Sequence, residues 1–112
     1  MAFAVSTELT KGIAKITVSG ELDAASAGEF RDAIEQVAST QPKRVALLMD
    51  QLTFMASAGL RVLVFAKQRM GTDVDLYVVG AQAAVQETLE MTGFQYSVIM
   101  LTEYDATEIE NI

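Results

Sequence analysis

A chain of 112 residues has room for one hydrophobic core but not two, and a composition 51% hydrophobic must bury most of its apolar surface, which excludes a disordered chain. Cysteine and histidine are both absent, so disulfides, thiolate chemistry, Cys/His zinc sites and the usual nucleophile–base pairs are excluded, and a catalytic role is disfavoured. A net charge of −7 counts against direct nucleic-acid binding, and no apolar run approaches the roughly 20 residues of a membrane helix, so the expectation is one cytoplasmic domain, 1–112, without membrane insertion.

Phe3 to Leu9 and Ile13 to Val18 are short β-prone segments around the turn Thr10-Lys11-Gly12, and they predict a hairpin. The alternation in the second segment is imperfect and leaves its buried face unassigned. Gly20-Glu21-Leu22-Asp23 should then break the strand. Ala27, Phe30, Ile34 and Val37 follow at helical spacing, with Asp23 as a candidate N-cap, Ser26 and Glu29 as a competing capping box, and an end near Ser39 ahead of Pro42. Arg44 to Met49 reads as a central strand, after which Asp50 falls in a loop.

Leu60 to Met70 is the second predicted helix, entered through Gly59 and closed by Gly71. Leu60, Leu63, Ala66 and Met70 share one side, whereas Arg61, Phe65, Gln68 and Arg69 share the other. Phe65 on the polar side means either a helix buried more broadly than its wheel suggests or an exposed apolar contact in a binding face. Leu76 to Val79 is a further buried strand, and Ala81 to Met91 a helix with Ala84, Val85, Leu89 and Met91 inward. Val98 to Leu101 is the last strand, and Thr102-x-x-Asp105 opens a short acidic helix. The result is an α/β fold with a mixed β-sheet, in the order β-β-α-β-α-β-α-β-α.

No phosphate-cradling glycine loop or metal-ligand motif occurs, and Asp73 with Asp75 reads as a solvated turn; no cofactor is expected. Ser57 stands out by its setting. A serine before a helix is commonly its N-cap, yet the same place offers free amides and a helix dipole that favour a phosphate. Gln51 to Thr72 carries three basic residues and no acidic one, against the sign of the whole chain. Lys67 and Arg69 oppose the C-terminal end of their own helix, whereas Arg61, read as lying in the first turn, is placed for a partner or a phosphate.

Gly20-Glu21-Leu22-Asp23, taken with Leu52-Thr53-Phe54-Met55-Ala56-Ser57-Ala58-Gly59-Leu60, resembles the STAS family, named for sulfate transporters and anti-sigma factor antagonists. The likeness runs nearly end to end and is to a free-standing bacterial anti-sigma factor antagonist. It implies helices mainly on one face of the sheet and partner switching in place of catalysis. In that scheme the unphosphorylated protein binds an anti-sigma factor that is also a serine kinase, phosphorylation breaks the complex, and a serine phosphatase restores it.

The resemblance puts Ser57 at the phosphoacceptor position of the family's Asp-Ser-Ser-Gly-Leu turn and Asp23 at the aspartate of its Gly-x-Leu-Asp motif. The implied partner surface comprises Asp23, Ala56, Ser57, Ala58 and Gly59, to which the residue pattern adds Arg61 and Phe65. Three positions depart from the family: Ala56 replaces the aspartate, Ala58 the second serine, and Leu48 an acidic or amide residue of the preceding strand. An alternative within the same family is a cytoplasmic regulatory subunit of a membrane transport system. The oligomeric state is left open.

Overall fold

The computed structural model describes residues 2–111. Five strands form one sheet in the spatial order β1-β2-β3-β4-β5: β1 Ala4–Thr10, β2 Ile13–Leu22, β3 Arg44–Met55, β4 Asp75–Val79 and β5 Ile99–Leu101. β1 pairs antiparallel with β2, as the two-residue turn at Lys11-Gly12 requires, and the remaining neighbours are parallel. The parallel strands are joined by α1 Ala27–Ser39, α2 Ser57–Met70 and α3 Ala83–Met91, while α4 Ala106–Ile109 follows β5. A single 3-10 turn, Phe94–Tyr96, leads out of α3.

The main core lies between the sheet and α1 to α3. Ile16, Val18, Leu22, Leu47, Met49, Leu52 and Met55 from the strands meet Phe30, Ile34, Leu63, Val85 and Leu89 from the helices, all buried. The opposite face is smaller: Ile13, Ala46, Tyr77 and Val79 are covered by Ile109 of α4. That second cluster explains the imperfect alternation at the start of β2. Ile13 faces α4 and Ala14 faces the main core, so both neighbours are buried although they point to opposite sides.

Several boundaries differ from the sequence expectations. β2 does not break at Gly20 but continues to Leu22, and β3 continues from Met49 to Met55, taking Asp50 into the strand. The register explains why. Thr17 pairs with Leu48 but Ser19 with Gln51, and Gly20 pairs with Leu52 but Glu21 with Phe54, so β3 carries an extra residue at each of two bulges. Burial in β3 consequently recurs at Met49, Leu52 and Met55, every third residue, which disguises a strand whose ordinary period is two.

The N-cap of α1 is Ser26, which makes no side-chain cap bond, and not Asp23, which instead ties the turn leading into the helix. The Asp23 carboxylate accepts hydrogen bonds from the Ala25 and Ser26 amides, at 3.0 and 3.1 Å, while the Asp23 amide donates to Ser26 Oγ at 2.9 Å. The pattern is reciprocal, as in a capping box, but it joins Asp23 and Ser26 within the turn in place of Ser26 and Glu29. In α3, Ala84 and Met91 are exposed, and only Val85 and Leu89 of the expected inward set are buried.

Candidate functional site

Beyond the Leu48–Val79 pairing β4 drops away, and beyond the Ala4–Ser19 pairing β1 does too, so that β2 and β3 run on together as a ribbon. They end side by side. Leu22 is the register partner of Met55, and the Ala56 amide donates to the Leu22 carbonyl at 2.8 Å. Asp23, next after Leu22, is therefore brought beside Ala56 and Ser57, which the sequence separates by more than thirty positions.

Thr53 Oγ1 donates to the Gly20 carbonyl at 3.0 Å, locking the ribbon internally. Thr88 Oγ1 of α3 donates to the Met55 carbonyl at 3.2 Å, and Gln82 Nε2 to the Asp50 carbonyl at 2.8 Å. The turn that carries Ser57 is thus tied to both its strand neighbour and α3. Gly20, with φ +83, allows the N-terminal segment to cross at this end, since a Cβ there would stand 2.2 Å from the Ala2 carbonyl oxygen.

Ala56, not Ser57, is the N-cap of α2. Its backbone is extended (φ −82, ψ 171), it supplies no side-chain cap, and Ser57 is the first helical residue with an exposed side chain. The Gly59 and Leu60 amides return to the Ala56 carbonyl, whereas those of Ser57 and Ala58 have no acceptor among the described residues. The earlier helix start also moves Arg61 out of the first turn, so the dipole no longer opposes its charge strongly. Arg61 lies four residues after Ser57, on the same face, exposed and without an ion pair among the described residues. Arg69, by contrast, is held by Glu35 of α1 at 2.8 Å.

Phe65 is half-buried against the main core, and Arg31 of α1 lies over its ring, 3.9 Å from the centroid. The exposed apolar residue of this face is Val64, so the outward stripe of α2 reads Ser57, Arg61, Val64, Gln68. Phe54 on the ribbon is also exposed, at 46%. Neither stood out in the sequence: Phe54 because the bulges conceal its strand, and Val64 because an isolated valine beside Phe65 carries no signal of its own. The Ser26 hydroxyl, followed by the Ser26 amide, holds the Asp23 carboxyl below the usual aspartate range, so it stands ionised and fixed beside the turn.

Together the fold and this geometry define an α/β domain that presents a serine hydroxyl and a fixed carboxylate at the surface where two parallel strands end. The chain belongs to the STAS domain family, whose model matches residues 4–107. Over 82 residues it is 24% identical to the anti-sigma-F factor antagonist RsfB of Mycobacterium tuberculosis, covering 73% of this chain and 67% of that protein. An anti-sigma factor antagonist from Mycobacterium paratuberculosis superposes with a TM-score of 0.89 at 22% identity, covering 97% of this chain and 95% of its own. The anti-sigma factor antagonist SpoIIAA in its unphosphorylated form gives 0.80 at 18% identity, over 99% and 98% of the two chains. The phosphorylated form of SpoIIAA, from Bacillus, gives 0.71 at 15%, over 98% of each. These structures share the fold of this chain. No helix among the described residues is long and apolar enough to cross a membrane.

Proposed function

We propose that this STAS domain is an anti-sigma factor antagonist that works by partner switching. It binds an anti-sigma factor, itself a serine kinase, through Ser57 and the surface around it, comprising Asp23, Ala56, Ala58 and Arg61 above the buried Gly59, with Phe65 at the margin. Phosphorylation of Ser57 breaks the complex and a serine phosphatase restores it. The observation that carries the reading is the position of Ser57: exposed, first in its helix, and beside an ionised Asp23 through adjoining strand ends. The names of the relatives, and the two phosphorylation forms of SpoIIAA, support it.

The switch follows from desolvation. A neutral hydroxyl at Ser57 lets a partner pack closely, whereas a phosphate brings about 1.5 to 2 negative charges that a partner would have to strip of water. In the free protein the same phosphate is well accommodated, since the Ser57 and Ala58 amides and Arg61 face it. Modification therefore penalises the complex and not the fold. With Ala56 in place of an acidic residue, no carboxylate at the N-cap repels the phosphate, and the repulsion from nearby Asp23 is offset by those amides and Arg61.

A penalty of about 2 to 3 kcal/mol corresponds to a loss of affinity of roughly 30- to 150-fold. Ser57→Ala is expected to bind the partner kinase constitutively and Ser57→Asp weakly, as read by calorimetric titration of each variant. Equal affinities for the two would sink the proposal.

A further inference from the structure

At the end of the sheet remote from Ser57, three of the chain's eight basic residues converge. Lys11, Lys15 and Lys43 line a cavity of about 410 Å³ together with Thr10, Ile13 and Glu110. The cavity has a built frame. Lys11 has φ +54, a left-handed conformation that residues other than glycine rarely adopt, and Gly12 follows at φ +83. The Lys43 amide donates to the Gly12 carbonyl at 2.7 Å, and the Lys43 stem lies 3.5 Å from where a Gly12 side chain would begin. A side chain at Gly12 would make only ordinary contact with Lys43, so it is φ +83, and not space, that calls for glycine here.

On the other wall, Lys15 Nζ is 3.6 Å from Glu110 Oε2 and 4.7 Å from the centroid of the Tyr104 ring, while Tyr104 donates to the same carboxylate oxygen at 2.5 Å. Burial works against the charge on Lys15, yet the Tyr104 hydroxyl and the Glu110 and Glu8 carboxylates together raise its pKa. Glu8 faces Lys15 across the β1–β2 pair, so Lys15 stands near two carboxylates, of which only Glu110 lines the cavity. Glu110 is exposed, just beyond a four-residue helix.

We infer that this cavity binds a small anion bearing two phosphate groups, for which Glu110 is the internal competitor that the ligand displaces from Lys15. Lysine ammonium groups act as point charges that suit phosphate oxygens, and a dispersed set of three serves a polyanion better than a single carboxylate can. The carboxylate pairs closely only with Lys15 and feels Lys11 at longer range; Lys11 and Lys43 have no ion pair among the described residues. Displacing Glu110 removes one tie on α4, but Arg44 keeps its bonds to the Glu108 and Ile109 carbonyls.

The test is a titration of the intact chain with sodium pyrophosphate, followed by amide NMR at constant ionic strength, against sodium chloride alone. Saturable shifts are expected at Lys11, Gly12, Lys15, Lys43 and Glu110. Replacing both exposed lysines, Lys11→Asn (asparagine tolerates the left-handed turn) with Lys43→Gln, should weaken binding about tenfold or more. Glu110→Gln, by removing the competitor, should tighten it about three- to tenfold. A linear response matching that of chloride overturns the inference, as does an affinity that Glu110→Gln leaves unchanged or weakens.

Discussion

A methyl group on Gly59 would stand 2.7 Å from Leu22 Cγ and Cδ2 and 2.9 Å from Met55 Cγ. The absence of a side chain is what lets the first turn of α2 lie directly on the converging ends of β2 and β3, and so holds Ser57 beside Asp23. Gly59→Ala should therefore destabilise the fold by about 1 to 3 kcal/mol through overpacking, despite alanine's better helix propensity. Gly28, with nothing within 4 Å of its would-be Cβ, supplies the control: Gly28→Ala should stabilise by about 0.5 to 1 kcal/mol. Urea midpoints of the two variants should move in opposite directions, and a shift of the same sign would contradict this packing account. Asp23 adds a pH dependence. Because its folded pKa is lowered, chiefly by the Ser26 hydroxyl, its contribution is fully present above the unfolded aspartate value and is lost as pH falls through the lower folded one. Urea midpoints measured across that acidic window should fall more steeply in the wild type than in Asp23→Asn; parallel curves would show that the Asp23 bonds do not distinguish the ionised form.

Among the elements, α4 is the least secured, because four residues form no stable helix alone and its hold on the sheet rests on Ile109 and on exposed bonds to Arg44 and Lys15. Ile109→Ala removes a fully buried side chain, for which a cost of about 2 to 5 kcal/mol is typical. That cost should appear locally. Hydrogen exchange is expected to quicken at the Ile109 and Glu110 amides, which close this helix, while the β2 and β3 amides keep their protection. Loss of protection across the whole sheet would instead mark α4 as part of the cooperative core.

The element order was legible in the sequence because α1 to α3 show a 3.6-residue period and glycine or proline stands at or within two residues of one end of β1 to β4. The ribbon was not, since two bulges turn the apolar spacing of β3 from two to three and make Leu52 to Met55 read as a loop. The start of α2 was missed for a related reason: Ala56 gives no capping signal, so the first obvious landmark is Gly59, two residues late. At the site, Ser57 and Asp23 could be paired only through a family resemblance, because no local pattern shows that two strands end together. Phe65 illustrates the limit of a helical wheel. It stands on the polar side of α2, yet Arg31 of a different helix covers it.

Over the whole molecule, an acidic chain carries a stretch of reversed sign around α2, and the outward stripe of that helix runs from Ser57 through Arg61 and Val64. On the proposed reading, a neutral serine at its head suits close packing of a partner and a phosphorylated one does not. The most direct measurement is to incubate the chain with the proposed partner, an anti-sigma factor with serine kinase activity, and ATP, map the phosphate by mass spectrometry, and titrate both forms against that kinase without nucleotide. The expected result is a single phosphate on Ser57 and an affinity lower by roughly 30- to 150-fold. A phosphate on another residue, or equal affinity of the two forms, would contradict the account.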